Sequence, residues 1–302
     1  MEIVQWKIKK QDANKVLRTL IHNKYEEGGS LSFDDNYETN NVEITNIGNA
    51  MNVKTPDALV NFHTHPLISY QQNKAIFGHP SGEDMRECIR FAMVGNSCHI
   101  VFTLEGIYTI QVQPKIITIF SGMKDEERSF IIHIIELYFK QFHKYRTIYY
   151  YQRKTKKKCT LKDYNPFIFV DKCNLFTMNE LVNFVKKHKI NNIDEVYTIN
   201  SYGKTNKKIM NFGNVKGKLT KIINDYKLAN ERLFFMIYYV ADNMYDLNLN
   251  TPEKRWRSIR KNQINPYYSD DDITFKFIKI DQNKKNKEKE ALKSIMEHFK
   301  SK

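Results

Sequence analysis

Thiol chemistry is nearly absent from this chain. Its four cysteines, Cys88, Cys98, Cys159 and Cys173, show no Cys-x-x-Cys spacing and no dense framework. That excludes a thiolate zinc finger and a disulfide-stapled scaffold. Long apolar runs are missing as well. The closest, Leu233–Val240, is far short of the roughly 18 residues that a membrane-spanning helix needs, so no membrane partner is expected. The opening residues, Met1-Glu-Ile-Val-Gln-Trp-Lys7, lack the charged-then-apolar pattern of a secretory leader. These absences point to a reducing, intracellular compartment, cytoplasm or nucleus. No internal repeat is visible.

What is present argues for a folded chain. Of its 302 residues, 41% are hydrophobic and 13% aromatic, enough to bury a real core and to build two domains or one with a large extension. The net charge of +14 is lopsided: residues 1–150 hold 16 Lys+Arg against 17 Asp+Glu, and residues 151–302 hold 32 against 17. The basic half therefore fits nucleic acid or an acidic protein partner. Abundant lysine, asparagine, isoleucine and tyrosine are compatible with an AT-rich genome, such as that of a parasite or a large DNA virus.

Periodicity sets out an α/β fold. Val16, Leu17, Leu20 and Ile21 share a stripe, so residues 11–24 are predicted as an amphipathic helix. Strands are predicted at Ser30–Phe33, Val42–Ile47, 57–63 and Lys115–Phe120, with Cys98–Leu104 and Ile107–Val112 as a hairpin. Helices are predicted over Asp84–Val94 and 124–145. The run Tyr149–Lys158 reads as a basic linker, which divides the chain into 1–148, a linker at 149–160, and a basic, mainly helical α+β region at 161–302. In that region Pro166–Val170 and Ile273–Ile280 read as strands. Thr177–Lys187, Leu219–Tyr226, Asn230–Tyr245, Pro252–Lys261 and Lys284–Phe299 read as helices.

The most informative stretch is Asn61-Phe-His63-Thr-His65-Pro66, followed by Pro80-Ser81-Gly-Glu-Asp84. Successive side chains on a strand alternate, so His63 and His65 project to one face. An aspartate delivered from the start of the next helix completes a three-donor set. Two imidazoles and one carboxylate commonly hold catalytic zinc and leave a fourth position for water. Ser81 and Asp84 also read as a helix capping box, a role compatible with the metal role.

The pattern His-x-His-Pro…Ser-x-x-Asp resembles the JAMM (MPN-plus) family of zinc metalloproteases, best known as ubiquitin isopeptidases. In that family a glutamate lies upstream in a Glu-x-x-Gly-x-Leu context, which Glu26-Glu27-Gly28-Gly29-Ser30-Leu31 supplies. The likeness covers roughly residues 10–145 and implies a curved mixed sheet flanked by helices. It implies one zinc held by His63, His65 and Asp84, with Glu26 as general base and then acid, and Ser81 assisting the oxyanion. Neighbours on a strand point to opposite faces, so only one of Glu26 and Glu27 can serve, and the Glu-x-x-Gly register favours Glu26. Asp84 lies 19 positions after His65, farther than family members usually place it. An insertion of about eight residues within Leu67–Gly78, cheap in a surface loop, accounts for the spacing and suggests a substrate-contacting loop. His79 reads as an exposed loop residue, with a fourth-ligand role as the alternative. The other histidines, His99 among them, have no ligand spacing.

The implied activity is a zinc-dependent isopeptidase or peptidase removing ubiquitin or a ubiquitin-like modifier from lysine. The alternative is a catalytically inactive MPN-fold assembly protein whose basic half holds nucleic acid or an acidic partner. The cluster Lys254-Arg255-Trp256-Arg257-Ser-Ile-Arg260-Lys261 suits that alternative, since it sets an aromatic ring among cations.

Overall fold

A computed structural model describes residues 3–73, 75, 77–146, 166–240 and 272–278. Their elements in chain order are β1 (Ile3–Ile8), α1 (Lys10–Leu17), β2 (Glu27–Phe33), β3 (Thr39–Ile47), β4 (Val60–Thr64), α2 (Leu67–Asn73), α3 (Gly82–Met93), β5 (Cys98–Phe102) and β6 (Gly106–Val112). There follow α4 (Pro114–Gly122), α5 (Asp125–Arg146), α6 (Pro166–Leu175), α7 (Met178–Lys187), β7 (Ile193–Ile199), β8 (Thr205–Phe212), α8 (Val215–Asp225), β9 (Phe234–Val240) and β10 (Ile273–Ile278). The architecture is mixed α/β. A six-stranded sheet of order β3-β2-β4-β5-β6-β9 forms the centre, and β1–β10 and β7–β8 are separate pairs. Only the β4–β5 pair is parallel; the other neighbours in the central sheet run antiparallel.

Each face of the sheet carries its own core, as alternation on a doubly covered strand requires. Val60 and Phe62 of β4 and Cys98, Ile100 and Phe102 of β5 pack with α1, β1 and β10. Val101 of β5 and Tyr108, Ile110 and Val112 of β6 pack on the opposite face with α3, α4 and α5. The β4 strand is buried at every position, Val60 to Thr64, yet carries Asn61, His63 and Thr64. Polar side chains in so dry a place must find partners, and those partners build the site described below.

Three short apolar runs fold otherwise than expected. Residues 115–120, predicted as a strand, lie in helix α4, with Pro114 in its first turn and Ile116, Ile117 and Phe120 buried. Pro166–Val170, also predicted as a strand, opens α6, which buries Phe169, Val170 and Cys173. A proline fits the first helical turn because its missing N–H would have no intrahelical partner there. Residues 230–245, predicted as a helix, contain β9, where Phe234, Met236 and Tyr238 alternate into the core. A short apolar run has no period that separates buried strand from buried helix, so the neighbour decides, here β6. The first helix is also shorter than predicted, ending at Leu17 before turns.

Strands β1, β7 and β8 had no counterpart in the expected pattern. The helices predicted at 124–145, Thr177–Lys187 and Leu219–Tyr226 correspond to α5, α7 and α8. The linker at 149–160, the basic cluster at 254–261 and the closing helix at 284–299 lie outside the described residues. Among the described residues no helix is long and apolar enough to cross a membrane.

Candidate metal centre

The register of β2 against β4 positions the first half of the site. Gly28 pairs with His63, and continuing that antiparallel register sets Glu26 opposite His65. Directly opposed residues share a face of the sheet, so Glu26, His63 and His65 project together. Glu27 falls opposite Thr64 and faces the other way; its N–H donates to Thr64 Oγ1 at 2.8 Å and its carboxylate accepts from Thr19 Oγ1 at 3.0 Å. Glu26 is 6% exposed, lines the cleft with the histidines, and lies 3.2 Å from Ser69 Oγ, whose hydroxyl also meets the Ala50 carbonyl at 2.7 Å.

The N-terminus of α3 supplies the second half. Ser81 caps the helix: its Oγ accepts from the Asp84 N–H at 3.0 Å, and the Asp84 carboxylate accepts from the Ser81 N–H at 2.5 Å. This capping box aims Asp84 at the histidines. His63 Nε2 lies 3.0 Å from His65 Nε2 and 3.4 Å from Asp84 Oδ1, and His65 Nε2 lies 3.8 Å from Asp84 Oδ2. Donors about 2.0–2.2 Å from one tetrahedral ion sit roughly 3.4 Å apart, which is the scale seen here.

Hydrogen bonding beyond these donors fixes the imidazole tautomers. Asn61 Nδ2 donates to Pro56 O, so Asn61 Oδ1 is the acceptor for His99 Nδ1–H at 2.8 Å. Burial holds His99 well below its ordinary pKa, with neighbouring His63 acting in the same direction. A neutral His99 therefore presents Nε2 as an acceptor, and His63 Nδ1–H donates to it at 2.8 Å. His65 Nδ1–H donates to the Gly78 carbonyl at 2.6 Å. With both protons spent on Nδ1, both Nε2 atoms carry lone pairs. Two lone pairs facing at 3.0 Å repel unless a cation or a proton lies between them. Burial lowers the proton affinity of His63, against the opposing field of Asp84. Burial would raise the Asp84 pKa, but the fields of His63 and His65 and the hydrogen bonds from Ser81 hold it well below the carboxylate range. His63, His65 and Asp84 are the only such group among the described residues, and they could hold a metal ion.

No family model, curated protein or solved structure matches this chain. The reading of the site accordingly rests on its own geometry.

The donors open onto a cleft of about 1150 Å³, whose lining also includes Met51–Asp57 and Lys204 and Thr205. All five expected site residues, Glu26, His63, His65, Ser81 and Asp84, line it. Two expectations fail. The segment after His65 is no exposed loop: Leu67, Ser69 and Tyr70 of α2 are buried, as are Phe77, Gly78 and His79. It folds inward because its polar groups find buried partners: the Tyr70 hydroxyl donates to Glu105, as does the Gly78 N–H. His79, expected to be exposed, packs on Phe169 with ring centroids 4.4 Å apart, and lies outside the donor group.

His99 is the residue that local spacing missed. A lone histidine in the apolar run Cys-His-Ile-Val-Phe looks like core, and only the parallel pairing of Asn61 with His99 reveals its role. Cys88, by contrast, packs in the core as expected, and burial pushes its thiol pKa well up.

Proposed function

We propose that this chain is a zinc-dependent hydrolase of the JAMM (MPN-plus) type. Its reaction is cleavage of an isopeptide or peptide bond, and its substrate class is ubiquitin or a ubiquitin-like modifier on lysine. The observation that carries the reading is the pair of bare Nε2 atoms of His63 and His65, 3.0 Å apart beside an ionised Asp84. Three protein donors facing an open cleft fit a catalytic zinc site, since structural zinc is closed by four. The mixed sheet with helices on both faces supports the MPN-like architecture.

When bound, zinc would polarise the scissile carbonyl and lower the pKa of water at its fourth position. The remaining work belongs to the chain. Glu26, facing the cleft beside His65, takes the proton of the attacking water and delivers it to the leaving amine. Ser69 Oγ lies 3.2 Å from Glu26 Oε1 and 2.7 Å from the Ala50 carbonyl, so the carboxylate shares that hydroxyl with a backbone acceptor. Ser81, at the capped start of α3, offers its hydroxyl to the developing oxyanion while it keeps Asp84 in place.

Elemental mass spectrometry of the purified protein tests this. About one zinc per chain, lost in His63→Ala/His65→Ala, is expected of a three-donor site, together with cleavage of ubiquitin chains by the wild type. A chain that takes up no zinc on reconstitution refutes the reading.

A second reading, nucleic-acid binding through the basic half, is favoured by β8. There Lys204, just before the strand, and Lys207, Lys208 and Ile209 on it are all exposed. Binding of a labelled oligonucleotide that weakens steeply with salt would support it, and salt-insensitive or absent binding would refute it.

A further inference from the structure

Glu105 is fully buried in the turn between β5 and β6. No ion pair among the described residues reaches it; three donors do instead. The Tyr70 hydroxyl donates to Oε2, and the Gly78 N–H at 2.5 Å and the Tyr108 hydroxyl at 3.2 Å donate to Oε1. A glutamate side chain offers two acceptor oxygens to these three donors, where an amide would turn an NH2 group toward one of them. Burying an acid among apolar side chains is costly, and a turn between antiparallel strands does not need one.

What those donors are attached to gives the acid its meaning. Gly78 donates its N–H to Glu105 and accepts His65 Nδ1–H on its carbonyl at 2.6 Å. Tyr70 lies against Gly78 so closely that a Cβ there would fall 2.2 Å from the tyrosine oxygen. One residue before Tyr70 on α2, Ser69 Oγ lies 2.7 Å from the Ala50 carbonyl and 3.2 Å from the Glu26 carboxylate. Tyr70 and Gly78 are therefore both held by Glu105, and through Gly78 one metal donor, His65, is oriented.

We propose that Glu105 is a positioning residue of the metal centre, acting on His65 through Gly78, which it holds by the N–H and through Tyr70 packed against it. The proposal rests on the metal-site reading above. It gives Tyr70 and Gly78, which also line the cleft, the task of holding His65 in place.

The test uses the full chain, with Zn2+ affinity from competition against a colorimetric chelator and the visible absorption spectrum of the Co2+-loaded protein. Loss of an outer partner of a ligating histidine typically weakens metal binding about 10- to 100-fold. Glu105 stands one hydrogen bond behind that partner, so Glu105→Gln is expected to weaken binding by up to about tenfold, with an altered Co2+ spectrum. Tyr70→Phe removes one hydroxyl and keeps the ring, and should show a smaller change of the same kind. It provides the measurement if Glu105→Gln does not fold. A merely structural Glu105 would lower the unfolding temperature and leave affinity and spectrum alone, and that result in either folded variant overturns the proposal. A wild-type chain that binds neither Zn2+ nor Co2+ overturns the metal-site reading and this proposal together. Normal wild-type binding with unchanged variants overturns this proposal alone.

Discussion

Replacing His99 separates the two features on which the metal site depends, the donors and the proton pattern behind them. His99 is not one of the three donors. It accepts from His63 Nδ1–H at 2.8 Å and donates to Asn61 Oδ1 at 2.8 Å, in a position 1% exposed. In His99→Ala, His63 loses the acceptor that keeps its proton on Nδ1, and the proton can move to Nε2, where it competes with the metal. A net buried hydrogen bond is worth about 1–2 kcal/mol in such a network. At roughly 1.4 kcal/mol per tenfold, that predicts Zn2+ binding about 5- to 30-fold weaker. Glutamine in the same place can accept from His63 through its carbonyl and donate to Asn61 through its amide. His99→Gln should therefore recover most of the affinity. Chelator competition measures both, with thermal unfolding of the metal-free proteins as the check on folding. Wild-type affinity in a folded His99→Ala protein, or equal losses in the two variants, would refute the tautomer argument.

Further expectations follow from the same geometry. Glu26→Gln should keep zinc and lose turnover, while Glu27→Gln should keep both; the reverse pattern would mean that β2 is shifted by one residue against β4. Gly29 lies where a Cβ would come within 2.0 Å of Glu43 O and 2.6 Å of Phe62 Cζ. Gly29→Ala should thus cost about 1–3 kcal/mol of stability, read as a lower urea midpoint, and an unchanged midpoint would contradict the pairing. The stability of the metal-free protein should fall on acidification. Burial keeps His63 and His99 below the ordinary 6.5, so near that pH the unfolded chain binds protons that the folded one refuses. Their contribution is complete above about pH 6.5 and shrinks below it. Asp84, held low by His63 and His65 despite burial, adds its own loss only as the pH falls through 3.8, its ordinary value. Urea midpoints at pH 7.5 and 5.5 check this, and equal midpoints would count against it.

What could be read from the chain alone was local. The His-Thr-His run, the Ser81–Asp84 cap, the hairpin from Cys98 to Val112 and the helix after Asp125 each carry their signal within a few residues. The runs at 115–120, 166–170 and 234–240 carried none, because their fold depends on which surface they meet. The support of the site was hidden for a related reason. His99 lies 36 residues from His63, and Glu105 lies 27 from Gly78. These pairs exist only once the parallel strands are aligned and the segment after His65 has turned inward. Charge asymmetry marked the second half as basic, but did not indicate that it supplies a strand to the central sheet.

That strand, β9, has a consequence for the life of the nascent polypeptide. Every candidate metal donor and its buried partners are synthesised by Glu105, yet the sheet that carries them is finished only when Phe234–Val240 reaches β6. Until then β6, buried along its whole length in the finished fold, offers an apolar edge that any extended chain can pair with. The half that carries the candidate donors is thus made first and sealed last. A fragment ending near residue 148, drawn by motif alone, would retain every donor and be expected to aggregate, because it leaves out the strand that closes its own edge.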